Sequence, residues 1–70
     1  MKQKLNAAYL ADVIEILKQA DLALSDEAAC ESNVLRYYDY RTAAMDCFRT
    51  INACERALYH LRERESNETV

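Results

Sequence analysis

Hydrophobic residues recur through the first third of the chain with the spacing of an amphipathic helix. On a wheel of about 100° per residue, the apolar residues from Leu5 to Leu24 fill an arc of roughly 180° to 200°. This arc is formed by Leu5, Tyr9, Leu10, Val13, Ile14, Ile16, Leu17, Ala20 and Leu24. A helix that packs on one neighbour needs an apolar stripe only a little over ~100° wide. We therefore expect helix one, residues 3–24, to contact two or more neighbours.

A break between helices is predicted at Leu24-Ser25-Asp26-Glu27. The Ser25 hydroxyl suits an N-cap, because its oxygen can accept from the free amides of the next turn. Asp26 and Glu27 would then lie at the positive end of the new helix dipole. An alternative is that helix two starts at Ser32 or Asn33, with residues 26–31 forming a short helix of their own.

A second row of mainly apolar residues follows at spacings of three and four, which is the pattern of a heptad seam. The row consists of Cys30, Asn33, Tyr37, Tyr40, Ala44, Cys47, Ile51, Cys54, Leu58 and Leu61. It predicts helix two over residues 26–63, with Val34 and Phe48 widening the stripe. The predicted fold is all-α: residues 1–64 form an antiparallel two-helix hairpin, and residues 65–70 form a frayed polar tail.

The unequal lengths of the two helices predict self-association. Helix one would span about 30 Å and helix two about 55 Å. In a tight hairpin, helix one would cover helix two only to about Asp46 or Cys47, and Ile51, Cys54, Leu58 and Leu61 would extend beyond it. Exposing them would forfeit about 1.5–3 kcal/mol for each large aliphatic side chain. We therefore expect a homodimer, a four-helix arrangement held by the seam Tyr37, Tyr40, Ala44, Cys47, Ile51, Cys54, Leu58 and Leu61.

Composition and charge narrow the classes of partner. The 70 residues include no glycine and no proline, which favours long helices and few turns. The net charge of −3 makes nucleic acid an unlikely partner, and no apolar run approaches the ~20 residues of a membrane span. The three cysteines, at spacings that fit neither a disulfide framework nor a zinc site, are expected to be reduced thiols in the cytoplasm.

Catalytic chemistry finds no support in the motifs. The chain has no glycine-rich phosphate loop and no metal-ligand pattern, and His60 and Cys54 would lie on different sides of one helix. We expect a protein that is not an enzyme, with no catalytic residues, no metal and no cofactor.

The outward side of helix two carries the candidate partner-binding residues. Tyr38, Met45, Arg49, Asn52 and Arg56 fall within a band of about 60°, with Arg41 at its edge. Tyrosine, methionine and arginine are enriched at protein interfaces. Two other interpretations remain open. In the first, the band is a solvated face whose arginines pair with acids such as Asp46, Glu55 and Glu63. In the second, Tyr38 and Met45 pack under helix one.

Two resemblances supply expectations about function. The string Asp26-Glu27-Ala28-Ala29-Cys30-Glu31-Ser32 resembles the start of the second helix in the plasmid repressor-of-primer family, dimers of helical hairpins that bind paired RNA loops. In length, acidity and two-helix plan, the whole chain resembles the phage anti-activators of quorum sensing. That resemblance implies a small inhibitor, in the cytoplasm of a bacterial host, that binds host proteins: a LuxR-type transcription factor and also a type IV pilus assembly ATPase. An RNA-binding regulator and an assembly adaptor subunit are the alternatives.

Overall fold

The computed structural model describes residues 4–68, which fold into a hairpin of two helices. Helix α1 comprises Ala7–Cys30, 24 residues, and helix α2 comprises Val34–Glu68, 35 residues. The described residues contain no strand. The predicted all-α helical hairpin is therefore confirmed, although both helix boundaries differ from those expected.

Helix α1 does not end at Ser25, so the predicted break there is wrong. Ser25 is an exposed residue inside α1, and the helix continues for five more residues. Serine inside a helix costs only a few tenths of a kcal/mol relative to alanine. Continuing the helix also buries Ala28, which is only 7% exposed. No separate short helix forms over residues 26–31, because residues 26–30 belong to α1 and Glu31 is its C-cap.

Asn33 begins helix α2 in place of Ser25. The amide of Arg36 donates to the Asn33 side-chain oxygen at 3.1 Å, the contact that an N-cap asparagine makes. The Glu31 carboxylate accepts from the Asn33 amide at 3.0 Å, and the Glu31 amide donates to the Ala28 carbonyl at 3.2 Å. Polar side chains thus make the turn over residues 31–33 without glycine or proline.

Contacts at the other end of the hairpin fix how the helices pair. The Glu65 carboxylate accepts from the Ala7 amide at 3.0 Å, and Arg64 donates to the Leu5 carbonyl at 3.1 Å. Asn6 caps α1 by accepting from the Tyr9 amide at 2.8 Å. Residues 65–68, which were predicted to fray, are helical, and Glu65 helps to satisfy the free amides at the start of α1. Residues 69 and 70 of the predicted tail lie outside the described residues.

This pairing reverses the predicted overhang of helix two. Ile51, Leu58 and Leu61 are 6%, 8% and 8% exposed within one chain, where they pack with Leu10 and Ile14 of α1. The expectation that the end of helix two lacks cover in its own chain is therefore wrong. The antiparallel register of Ala7 with Glu65 and of Lys18 with Glu55 places the end of α1 beside Thr42. The part of α2 that extends beyond α1 is its first two turns, residues 34–41.

The buried core is small. Seven apolar side chains are buried among the described residues, and none of them is completely enclosed. The buried side chains are Leu10, Ile14, Ala28, Ala44, Ile51, Leu58 and Leu61. Val34 and Phe48, expected to widen the buried stripe, are 64% and 58% exposed. A single copy of the hairpin thus leaves much of its apolar surface in contact with water.

Neither α1 nor α2 combines the length and hydropathy that a membrane span requires, over the residues that were searched. Cys30 is exposed, Cys47 and Cys54 are half-buried, and none of the three forms a disulfide.

Candidate functional site

An open groove lies between the two helices near the turn end of the hairpin. It has a volume of about 460 Å³. Its floor is formed by Ala28 and Ala44, two small buried side chains that leave a depression where larger residues would fill the space. The groove therefore exists because both helices carry alanine at this level of the core.

The wall contributed by α2 is apolar and exposed. Met45 and Phe48 both line the groove, and they are 50% and 58% exposed. Tyr37, one turn before Arg41, lines its end and is half-buried. Exposed aromatic and methionine side chains beside a depression are typical of sites that accept an apolar group of a partner.

Charged side chains surround this apolar wall. Arg41 and Arg49 line the groove from α2, and the half-buried Asp21 lines it from α1 together with Ser25 and Ala29. Among residues 4–67, whose side chains the structure describes, no salt bridge engages either Arg41 or Arg49. Both guanidinium groups therefore remain able to bind carboxylate or carbonyl oxygens through their planar donors.

Three of the six residues predicted to bind a partner line the groove, namely Arg41, Met45 and Arg49. Tyr38 does not line it. Its ring is 59% exposed and makes an edge-to-face contact with Tyr37, with centroids 5.5 Å apart. Since Tyr38 and Met45 are both exposed, the interpretation that they pack under helix one is wrong.

The other two predicted residues continue the same side of α2 beyond the groove. Asn52 is half-buried and Arg56 is exposed, and neither lines the groove. The described side chains do not pair Arg49 or Arg56 with an acid, although that pairing was the interpretation of a solvated face. The ion pair that does form on this side joins Lys18 to Glu55, at 3.9 Å between α1 and α2.

Sequence reasoning missed the part of the groove that α1 supplies. Ser25 and Ala29 were not recognised, because Ser25 was assigned as the N-cap of helix two and Ala29 to its first turn. Asp21 was missed because the predicted turn placed it opposite a different part of helix two. Phe48 was assigned to the core, since a wheel places it at the edge of the buried stripe. The usable signal was the alanine pair Ala28 and Ala44, which predicts a depression once the two helices are known to be in register there.

The groove combines an apolar wall with polar and charged side chains. No group of three histidine, cysteine or acidic side chains among the residues searched is arranged to hold a metal ion. The apolar wall can accept an aliphatic or aromatic side chain, and the arginines can contact a carboxylate beside it. The arrangement thus places two cationic groups beside an exposed apolar surface.

Comparisons with known proteins returned no match: no family model fits the chain, and neither a curated protein nor a solved structure is significantly similar to it.

Proposed function

We propose that this chain is a non-enzymatic module that binds another protein through the groove between α1 and α2. The observation that carries the proposal is the pairing of exposed Met45 and Phe48 with Arg41 and Arg49 at one depression. Interfaces between proteins combine an apolar centre with a polar rim, and arginine and aromatic residues dominate their binding energy.

The groove specifies the chemistry of its partner. A helix or peptide would place a large apolar side chain against Met45 and Phe48, and an acidic residue would lie within reach of Arg41 or Arg49. Asp21, on the opposite wall, disfavours a second carboxylate there and gives the bound segment one preferred direction. Binding would act by occupation, because the bound surface of the partner is then closed to its other ligands.

The class of partner that we propose is a regulatory protein of a bacterial host, bound in the cytoplasm. Support comes from the resemblance in length, acidity and two-helix plan to phage anti-activators of quorum sensing. A LuxR-type transcription factor and a pilus assembly ATPase are the first proteins to test.

Self-association into a homodimer of four helices is the second part of the proposal. Its support is the small core together with the apolar side chains that a single chain leaves exposed. Tyr9 and Ile16 of α1 are 55% and 64% exposed, although both belong to the broad apolar arc of that helix. Domains of this size commonly stabilise a marginal core by burying a second copy against it.

The groove is tested by comparing two arginine variants in a binding assay with purified LuxR-type regulator and pilus ATPase. Arg49→Ala removes a charge at the groove, and Arg56→Ala removes one from the same side of α2 beyond it. We expect Arg49→Ala to weaken capture by about tenfold or more, as at an interface hot spot, and Arg56→Ala to leave it nearly unchanged.

Both variants change exposed residues, so their thermal melts should match that of the unmodified protein. If both variants lost capture equally, the binding site would extend along the whole side of α2 rather than lie in the groove. Unchanged capture in Arg49→Ala would exclude the groove, and no capture of either protein by the unmodified chain would exclude the proposed class of partner.

A further inference from the structure

The side of the hairpin opposite the groove carries a second surface of different composition. On each helix, the buried row is flanked by one row on either side, and the groove uses one flank of each helix. Because the helices are antiparallel, the two remaining flanks lie together on the other side. We call this surface the apolar face, and the side that contains the groove the groove face.

Helix α1 contributes large apolar side chains to the apolar face. Its flanking row is Tyr9, Val13, Ile16, Ala20 and Leu24. Tyr9 and Ile16 are exposed, and the other three are only half-buried by the contact with α2. This row accounts for the unusual width of the apolar arc of α1, since a single neighbouring helix covers only about half of it.

Helix α2 contributes smaller side chains to the same face. Its row is Ala43, Cys47, Thr50, Cys54 and Ala57, at alternating spacings of four and three. That alternation is a heptad pattern, and small residues in it let another helix approach closely. Helix α2 therefore carries a second seam in addition to the one that it buries against α1.

Within the two flanking rows, charged side chains occur only at the ends, and Asp46 borders the α2 row on its outer side. Glu27 and Arg36 lie at the turn end and Arg64 lies at the other, where it donates to the Leu5 carbonyl. Between them, neither flanking row contains a charged residue. Depletion of charge is the composition that distinguishes the centre of a permanent interface from an ordinary surface.

The hairpin exposes more surface than a compact monomer of its mass, and the difference is about the area that a dimer would bury. A compact monomer of 8.1 kDa exposes about 4,500 Å² by the usual scaling with mass. The hairpin exposes 5757 Å², an excess of about 1,300 Å² over that scaling. A permanent dimer buries roughly 1,000 Å² or more from each partner. One self-association surface therefore accounts for the excess.

We propose that the apolar face is the surface on which a second copy of this chain packs. This inference rests on the self-association part of the proposed function and assigns it a location. Two-fold symmetry brings the same face of each copy together, so each apolar row meets an apolar row. The groove faces then point away from the interface, and the dimer presents two grooves to its partners.

Native cysteines provide a test that requires no mutation. Cys47 and Cys54 lie on the apolar face, whereas Cys30 is exposed at the end of α1. We expect alkylation of Cys47 and Cys54, followed by mass spectrometry, to slow by about tenfold as the protein concentration rises through the dimer dissociation constant. Alkylation of Cys30 should keep the same rate at every concentration.

A second experiment introduces a glutamate on each face and measures self-association by sedimentation. Ala57→Glu and Ile16→Glu place a carboxylate on the apolar face at exposed positions, and Ala29→Glu places one in the groove. The unmodified chain and Ala29→Glu should sediment as dimers. Ala57→Glu and Ile16→Glu should raise the dissociation constant by about a hundredfold or more, because each copy would bury an unpaired charge.

Together, the two experiments test separately whether the chain self-associates and whether the apolar face forms the interface. An unmodified chain that stays monomeric up to high micromolar concentration would overturn self-association and this inference together. A dimer that survives both apolar-face variants, or whose Cys47 and Cys54 stay as reactive as in the dilute protein, would overturn the assignment of the face alone. The groove proposal is independent of either result.

Discussion

The groove face and the apolar face are formed by the same two helices, yet they differ in charge and in the size of their side chains. On the groove face, Met45 and Phe48 are exposed beside Arg41, Arg49 and Asp21. The two rows of the apolar face have no charged residue along their length, and α2 supplies only small side chains to it.

This difference indicates two kinds of contact. An apolar centre with a charged rim suits an interface that forms and dissociates, because each partner must also be stable in water. A face whose central rows lack charged residues suits an interface that is formed once and kept. A two-helix hairpin can carry both, since each helix buries only one row against the other and leaves a flank on either side.

Removing a large core side chain should destabilise the hairpin and therefore both faces at once. Leu58 is buried in the contact between α1 and α2, so Leu58→Ala should lower the free energy of unfolding by about 2–4 kcal/mol. Leu35 provides the matched control, because it is 75% exposed on the part of α2 that extends beyond α1. Leu35→Ala should change stability by less than about 0.5 kcal/mol.

Urea denaturation at fixed protein concentration measures both variants. If Leu35→Ala cost as much as Leu58→Ala, the first two turns of α2 would be buried in the native assembly, and the pairing of the helices would be wrong.

Salt should separate the two faces. Raising sodium chloride from about 50 mM to 500 mM shortens the screening length from roughly 14 Å to 4 Å. Binding of a partner at the groove should weaken by about tenfold, since Arg41, Arg49 and Asp21 lie at its edge. The dimer dissociation constant, measured by sedimentation, should remain within about twofold because burial of apolar surface is insensitive to screening. A dimer that weakens as steeply as partner binding would place charges in its interface.

The sequence predicted the architecture well because periodicity does not depend on where a helix starts. The spacing of three and four along helix two places Ile51, Leu58 and Leu61 on one row, and the structure buries all three. The all-helical hairpin follows from the same pattern and from the absence of glycine and proline. What periodicity leaves open is which residue of one helix faces which residue of the other.

That pairing depends on the position of the turn, and local signals for the turn were nearly equal. Ser25 and Asn33 are comparable N-cap residues by intrinsic preference. Choosing Ser25 moved the uncovered part of helix two from its first turns to its last third. It also hid the α1 wall of the groove, because Asp21 and Ala29 can be placed opposite Phe48 and Met45 only once the helices are in register.

Paired substitutions at the two candidate caps test this register directly. Asn33→Ala removes the oxygen that accepts from the Arg36 amide, and it should lower the free energy of unfolding by about 1 kcal/mol. Ser25→Ala replaces an exposed residue inside α1 by a better helix former, so it should change stability by less than about 0.5 kcal/mol, towards stabilisation. Chemical denaturation of the two variants side by side gives the comparison. If Ser25→Ala lowered the free energy of unfolding more than Asn33→Ala, the turn would lie at Ser25. Residues 25–29 would then not line the groove from α1, while the apolar row of α1 before Leu24 would still be helical.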